Sequence, residues 1–157
     1  MNRATTPVRD RLAREATVAL AAAADRAARD RERYAAEYGL SDAKLALMQV
    51  LDCCADGQAC LFALSEQLGV TRPNVTKLVD GLERSGLVER RPHPADGRMV
   101  QAHLTPDGAD LAHDALPGRA EHMERVWDTL DDEEVALLTA LLRRLAPAEE
   151  PAPASAT

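Results

Sequence analysis

Aromatic residues are almost missing from this chain: one tryptophan, one phenylalanine and two tyrosines, 3 % of 157 residues. Any core must therefore be built from leucine, valine and alanine, and at 46 % hydrophobic residues the chain has enough of them for one domain. Three cysteines, an odd number, argue against a disulfide framework. No apolar stretch approaches the ~20 residues needed to cross a bilayer. The first 14 residues are polar and arginine-bearing, without the apolar centre of a secretory leader. A cytoplasmic location is the expectation. The chain also has no glycine-rich phosphate loop, nucleophile elbow or metal-ligand cluster, so neither an enzyme nor a cofactor is expected. His93, His103, His113 and His122 are scattered rather than spaced as metal ligands, and no metal is expected.

The patterning is mostly helical. Small and apolar residues recur at helical spacing from about Val8 to Glu37 (Leu12, Ala16, Leu20, Ala23, Ala27), and Gly39 supplies a stop. Ser41 offers an N-cap for a second helix with Leu45, Met48, Val50 and Leu51 on its buried side. Asp56-Gly57 marks a turn, a short helix covers roughly Leu61 to Leu68, and Gly69 closes it. Thr71 caps the next helix and Pro73 sits in its first turn, where a missing N–H costs little. Two short strands, Leu87 to Arg91 and Met99 to Leu104, flank a turn-rich tip. A helix capped by Thr105 and opened by Pro106 runs to about Leu130, with Pro117-Gly118 expected to kink or break it. A last helix spans Asp131 to Leu145, its acids in the first turn and Arg143-Arg144 in the last. Residues 147–157 have the composition of a disordered tail.

The pair of helices around Gly69 has the pattern of a helix-turn-helix. Ser65 is small enough for a close crossing, and Val75, Leu78, Val79 and Leu82 give the second helix one apolar stripe. Arg72, Asn74, Thr76, Lys77, Asp80 and Arg84 fall on its opposite face. The net charge of -7 conceals an asymmetry. Residues 72–98 carry six basic and four acidic groups, whereas residues 99–157 carry four basic and twelve acidic ones. Local positive charge is what meets phosphate, so the asymmetry permits DNA binding without establishing it. A polar helix face bearing two cations is, taken alone, most often plain solvated surface.

The stretch Leu68-Gly-Val-Thr-Arg-Pro-Asn-Val-Thr-Lys-Leu-Val-Asp-Gly-Leu-Glu-Arg-Ser-Gly-Leu-Val-Glu-Arg-Arg-Pro92, with Asp96-Gly-Arg98 and Leu104-Thr105-Pro-Asp-Gly108 beyond it, resembles the signature of the MarR family of regulators. The resemblance implies a mainly α fold with a small β-hairpin wing. A winged helix-turn-helix (41–105) would lie between dimerisation helices (8–37 and 106–146), within one domain over 8–146. It also implies a regulator, most often a repressor, that binds a palindromic operator as a homodimer. Thr71, Arg72, Pro73, Asn74, Thr76, Lys77 and Arg84 then belong to a recognition helix in the major groove. Arg98 would enter the minor groove from the wing, with Asp96 steadying it. Arg90 and Arg91 point to opposite faces of a strand, so at most one of them, taken as Arg91, reaches DNA.

Family members also carry a small-molecule pocket between the dimer helices and the DNA-binding lobes, often for aromatic acids. Arg9, Arg11 and Arg14 could hold a carboxylate there, and Tyr34, Tyr38 or Met48 an apolar wall. Leu116, Met123, Val126, Trp127 and Leu130 are candidates for the dimer surface. Some members sense oxidants through cysteine, which makes a thiol-based or metal-responsive regulator using Cys53, Cys54 or Cys60 the alternative. Cysteine's tendency to be buried favours inert thiols.

Overall fold

The computed structural model describes residues 7–94 and 96–145, except for the side chains of residues 55 and 96–98. The elements run α1 (Pro7–Glu37), α2 (Asp42–Cys53), a 3-10 turn (Ala55–Gly57), β1 (Gln58–Cys60), α3 (Leu61–Leu68), α4 (Arg72–Arg84), β2 (Val88–His93), β3 (Asp96–Leu104), α5 (Pro106–Glu124), a second 3-10 turn (Arg125–Trp127) and α6 (Asp132–Leu145). The chain divides into two compact units, 1–123 and 124–157. Among the described residues no helix is long and apolar enough to cross a membrane.

The first unit holds the core. Leu45, Leu47, Met48 and Leu51 of α2 are fully buried, together with Leu64 of α3, Val75, Val79 and Leu82 of α4, and Ala112 and Ala115 of α5. With no phenylalanine or tryptophan among the buried residues described, aliphatic side chains and alanine, with Met48 and Tyr34, fill the interior. Ser41 caps α2 as expected, its Oγ accepting from the Lys44 backbone N–H at 3.4 Å. Most of α1 is exposed, with only Tyr34 and Ala35 buried near its C-terminal end.

Three expectations need correction. A third strand, β1, joins the sheet, giving the antiparallel order β1-β3-β2 with Gln58 opposite His103 and Arg91 opposite Gln101. The hairpin is longer than expected, reaching His93 and starting again at Asp96, so most of the presumed tip is strand. Of the kink or break expected at Pro117, the break is absent: α5 continues to Glu124. Burial of Ala112, Ala115 and Arg119 on both sides of the proline holds that helix together. The run does, however, stop short of Leu130, giving way to the 3-10 turn.

In the second unit, Asp131 and Glu134 form a reciprocal cap on α6. The Asp131 carboxylate accepts from the Glu134 N–H at 2.9 Å, and Glu134 accepts from the Asp131 N–H at 3.1 Å. No residue of α6 is buried. The expected tail, 147–157, lies outside the described residues.

Candidate nucleic-acid interface

The turn between α3 and α4 is made by backbone geometry. Gly69 sits at φ +62°, a left-handed conformation that costs glycine little, and the Val70 N–H returns to the Ser65 carbonyl at 3.1 Å. Ser65 is buried, its hydroxyl donating to the Phe62 carbonyl at 2.6 Å. Thr71 occupies the N-cap of α4, but its hydroxyl makes no capping bond. Its carbonyl instead accepts from the N–H groups of Asn74 and Val75 at 2.9 and 3.1 Å. Pro73 follows in the first turn.

Helix α4 buries Val75, Val79, Gly81 and Leu82 and half-buries Leu78. Thr71, Arg72, Pro73, Asn74, Thr76, Lys77, Asp80 and Arg84 are all exposed. A single amphipathic helix thus shows the solvent two or three turns of side chains able to donate to bases and phosphates. The Arg72 guanidinium lies over the Phe62 ring, 4.6 Å from its centroid. Thr76 donates its hydroxyl to the Arg72 carbonyl at 3.1 Å, and Arg84 donates from Nε to the Asp80 carbonyl at 3.2 Å.

The two adjacent arginines of β2 have different surroundings. Arg90 is turned onto α4, its side chain 24 % exposed, and pairs with both Asp80 and Glu83 at 2.5 Å. It also donates to the Thr76 carbonyl at 3.1 Å, while its own backbone N–H donates to Glu83 at 3.2 Å. Arg90 therefore straps the hairpin to α4. The Arg91 side chain, 58 % exposed, pairs with Glu89 on the same strand. On β3, burial pushes the His103 imidazole below its ordinary pKa, with Arg91 adding to the effect, and its Nε2 is buried without a hydrogen-bond partner. The side chains of Asp96 and Arg98 lie outside the described residues.

Sequence patterning alone misses two of these residues. Nothing in the local pattern assigns Arg90 to α4. Phe62 carries a usable signal: Leu61, Leu64 and Leu68 form the apolar stripe of α3 at i, i+3 and i+7, and the only phenylalanine lies off it.

The residues considered for a small-molecule pocket are not gathered within one chain. Arg9, Arg11 and Arg14 are exposed near the start of α1, Arg11 paired with Glu15. At 1.5 Å per helical residue Arg14 stands about 30 Å from Tyr34 along the same helix. Met48 is fully buried in the core, and Tyr38 is packed against it. Tyr34 is buried, donates to the Ala115 carbonyl at 2.7 Å and has its hydroxyl 3.3 Å from that of Tyr38. Burial, then the neighbouring Tyr38, pushes its pKa up to about 12. Of the candidates for a dimer surface, Met123 and Trp127 are exposed, whereas Leu116 packs partly against the core of its own chain. The cysteines depart from the burial expected of them: Cys53 is exposed and Cys54 and Cys60 are half-buried. Among the described residues no group of three or more His, Cys, Asp or Glu side chains could hold a metal.

Comparison with known proteins agrees with this geometry. The model of the MarR family matches residues 61–99, which comprise α3, the turn, α4 and most of the hairpin. The chain is 34 % identical over 111 residues to the HTH-type transcriptional repressor YetL of Bacillus subtilis, covering 71 % of this chain and just under two thirds, 66 %, of YetL. It is 31 % identical over 108 residues to the HTH-type regulator YkoM of the same organism, covering 69 % of each. A mutant MarR from E. coli, crystallised with operator DNA, superposes with a TM-score of 0.74 at 26 % identity, covering 83 % of this chain and 93 % of that one. By fold, matched segment and relatives, the chain belongs to the MarR family.

Proposed function

We propose that this chain is a transcriptional repressor that binds a palindromic DNA operator as a homodimer, with α4 in the major groove and the β2–β3 hairpin alongside. The supporting observation is the uniformly exposed face of α4, bearing Arg72, Asn74, Thr76, Lys77 and Arg84, strapped beside a hairpin that exposes Arg91. Arg72 offers paired N–H donors and Asn74 a donor beside an acceptor, the patterns that read base edges, while Thr76, Lys77 and Arg91 are suited to phosphate. The family resemblance assigns Arg98 to the minor groove, with Asp96 beside it. Repression is inferred from the similarity to YetL, a transcriptional repressor.

One such helix makes too few contacts for operator-grade affinity, and a two-fold dimer reading two half-sites supplies the rest. Val8, Leu12 and Leu20 of α1 and Leu137, Leu141 and Leu145 of α6 are large exposed apolar residues that a second copy would cover. The expected solution mass is twice 17.0 kDa; a monomer at micromolar concentration would refute the dimer. Gel shifts against the chain's own upstream region test operator binding, and failure to shift any duplex would end the proposal. Repeating the shifts with a panel of aromatic acids tests release by an effector, whose site would require residues from both copies.

A second reading, a thiol-responsive repressor, is favoured by the exposure of Cys53. Peroxide treatment with mass spectrometry and operator binding in parallel decides it. Unmodified thiols with undiminished binding would dismiss it.

A further inference from the structure

Phe62 is the single phenylalanine of a chain poor in aromatics, yet it is 46 % exposed and takes no part in the core. An isolated exposed apolar side chain needs no explanation by itself. Its partner is what singles Phe62 out. The Arg72 guanidinium lies 4.6 Å from the ring centroid, well inside the roughly 6 Å at which a cation is held by the face of an aromatic ring. Arg72 is the first residue of α4, and residues at the N-terminal end of a recognition helix are those that meet base edges. Among the described residues no carboxylate forms an ion pair with Arg72.

The kind of partner matters. A carboxylate would occupy the in-plane donors of the guanidinium and place negative charge next to phosphate. A ring face takes the flat side of the group and leaves its edge free, and the edge carries the N–H donors that pair with guanine O6 and N7. An arginine held in this way also has less rotamer freedom to lose when it docks.

We propose that Phe62 is a positioning residue for base readout: from α3 it holds Arg72 with its donor edge free, and so helps to set the base preference of each half-site. The inference rests on α4 being the DNA-reading helix. An exposed stack of this kind corresponds to about two- to five-fold in affinity per half-site, and so to about four- to 25-fold for a two-fold dimer.

The test uses the full-length chain and the duplex it enriches from a random library. Phe62→Leu is expected to weaken binding by that factor, to flatten the preference at the base pair that Arg72→Ala also flattens, and to lower the melting temperature by no more than about 4 °C. Phe62→Trp is expected to restore both affinity and preference. In the Arg72→Ala background Phe62→Leu should have no further effect. An equal loss in that background, or a Phe62→Leu protein with wild-type preference, overturns the inference while Lys77→Ala still weakens binding and the DNA-reading role stands. If the wild-type chain enriches no duplex, the role of α4 and the inference fail together.

Discussion

Two helical glycines give the same substitution opposite outcomes. A Cβ added to Gly108, in the first turn of α5, would sit 1.9 Å from the Leu87 carbonyl oxygen and 2.9 Å from its carbon. An ordinary carbon–oxygen contact is about 3.3 Å, so α5 and the corner after α4 would have to separate by about 1.4 Å. That corner is joined by the Thr105 N–H donating to the Leu87 carbonyl at 3.1 Å and the Thr105 hydroxyl donating to the Gly86 carbonyl at 2.7 Å. Losing both bonds costs about 2 kcal/mol. Residual overpacking adds about 2 kcal/mol, and the better helix propensity of alanine returns about 1 kcal/mol. Gly108→Ala should therefore cost about 3 kcal/mol, a fall of about 6–12 °C in melting temperature for a chain of this size. At Gly81, inside α4, the added Cβ would meet Lys44 Cε at 2.8 Å. That atom is near the end of a flexible side chain and can move, so Gly81→Ala should be neutral or stabilising by up to about 1 kcal/mol. Thermal unfolding followed by circular dichroism compares the two variants. A Gly108→Ala melt within about 2 °C of wild type, or equal losses at both sites, would refute the packing argument.

The remaining predictions concern buried charge, pH and the hairpin. Arg119 is nearly buried and pairs with Asp42 at 2.8 Å and with Gln49, so Asp42→Ala should cost about 3 kcal/mol in urea unfolding. Combining it with Arg119→Met should recover the part of that loss due to Arg119, leaving the part due to Arg31, which also pairs with Asp42 at 3.1 Å, and additive losses would disprove the pairing argument. His103 has its folded-state pKa lowered by burial, so the unfolded chain takes up the proton first as pH falls. The stability from its neutral form is full above the ordinary value of 6.5 and is lost as pH drops below it, and His103→Asn should flatten the urea midpoint between pH 7.5 and 5 relative to wild type. Arg91→Ala should reduce the salt dependence of operator binding by about one unit of log–log slope per half-site, without a change in melting temperature. Arg90→Ala should instead lower the melting temperature; a stability unchanged by its loss would refute the strap between hairpin and α4.

Much of this fold is legible because its signals are local. The bounds of α3 follow from Leu61, Leu64 and Leu68 together with Gly69, and the polar face of α4 from a single amphipathic period. What escapes is set by distant partners. Gln58–Cys60 has no alternating pattern, being half-buried at all three positions, and becomes a strand only because Gln101–His103 pairs with it. At Pro117 the local rule predicts a kink or a break, and the break does not occur in a helix packed through Ala112, Ala115 and Arg119. Thr71 is the right cap residue in the right place, but its carbonyl does the work expected of its hydroxyl.

The same distinction governs the candidate interface. A count of charges over residues 72–98 treats six basic groups alike. In the fold they divide by what they face. Arg90 is taken up by Asp80 and Glu83, and Arg91 is partly offset by Glu89. Among the described residues Arg72, Lys77 and Arg84 form no ion pair, and all three lie on the exposed side of α4. The strap therefore does two things at once. It fixes the hairpin beside α4, and its one positive charge offsets half of the negative charge of Asp80 and Glu83, two carboxylates that would otherwise repel phosphate more strongly from the same helix. Among the described residues of α4 and the hairpin, Lys77, Arg84 and the partly offset Arg91 are the cations left for phosphate once Arg72 meets a base, and they supply only a modest term, because each neutralised phosphate contributes about one unit to the salt slope. Doubling that term by two-fold symmetry is the physical reason a dimer belongs to the proposed function.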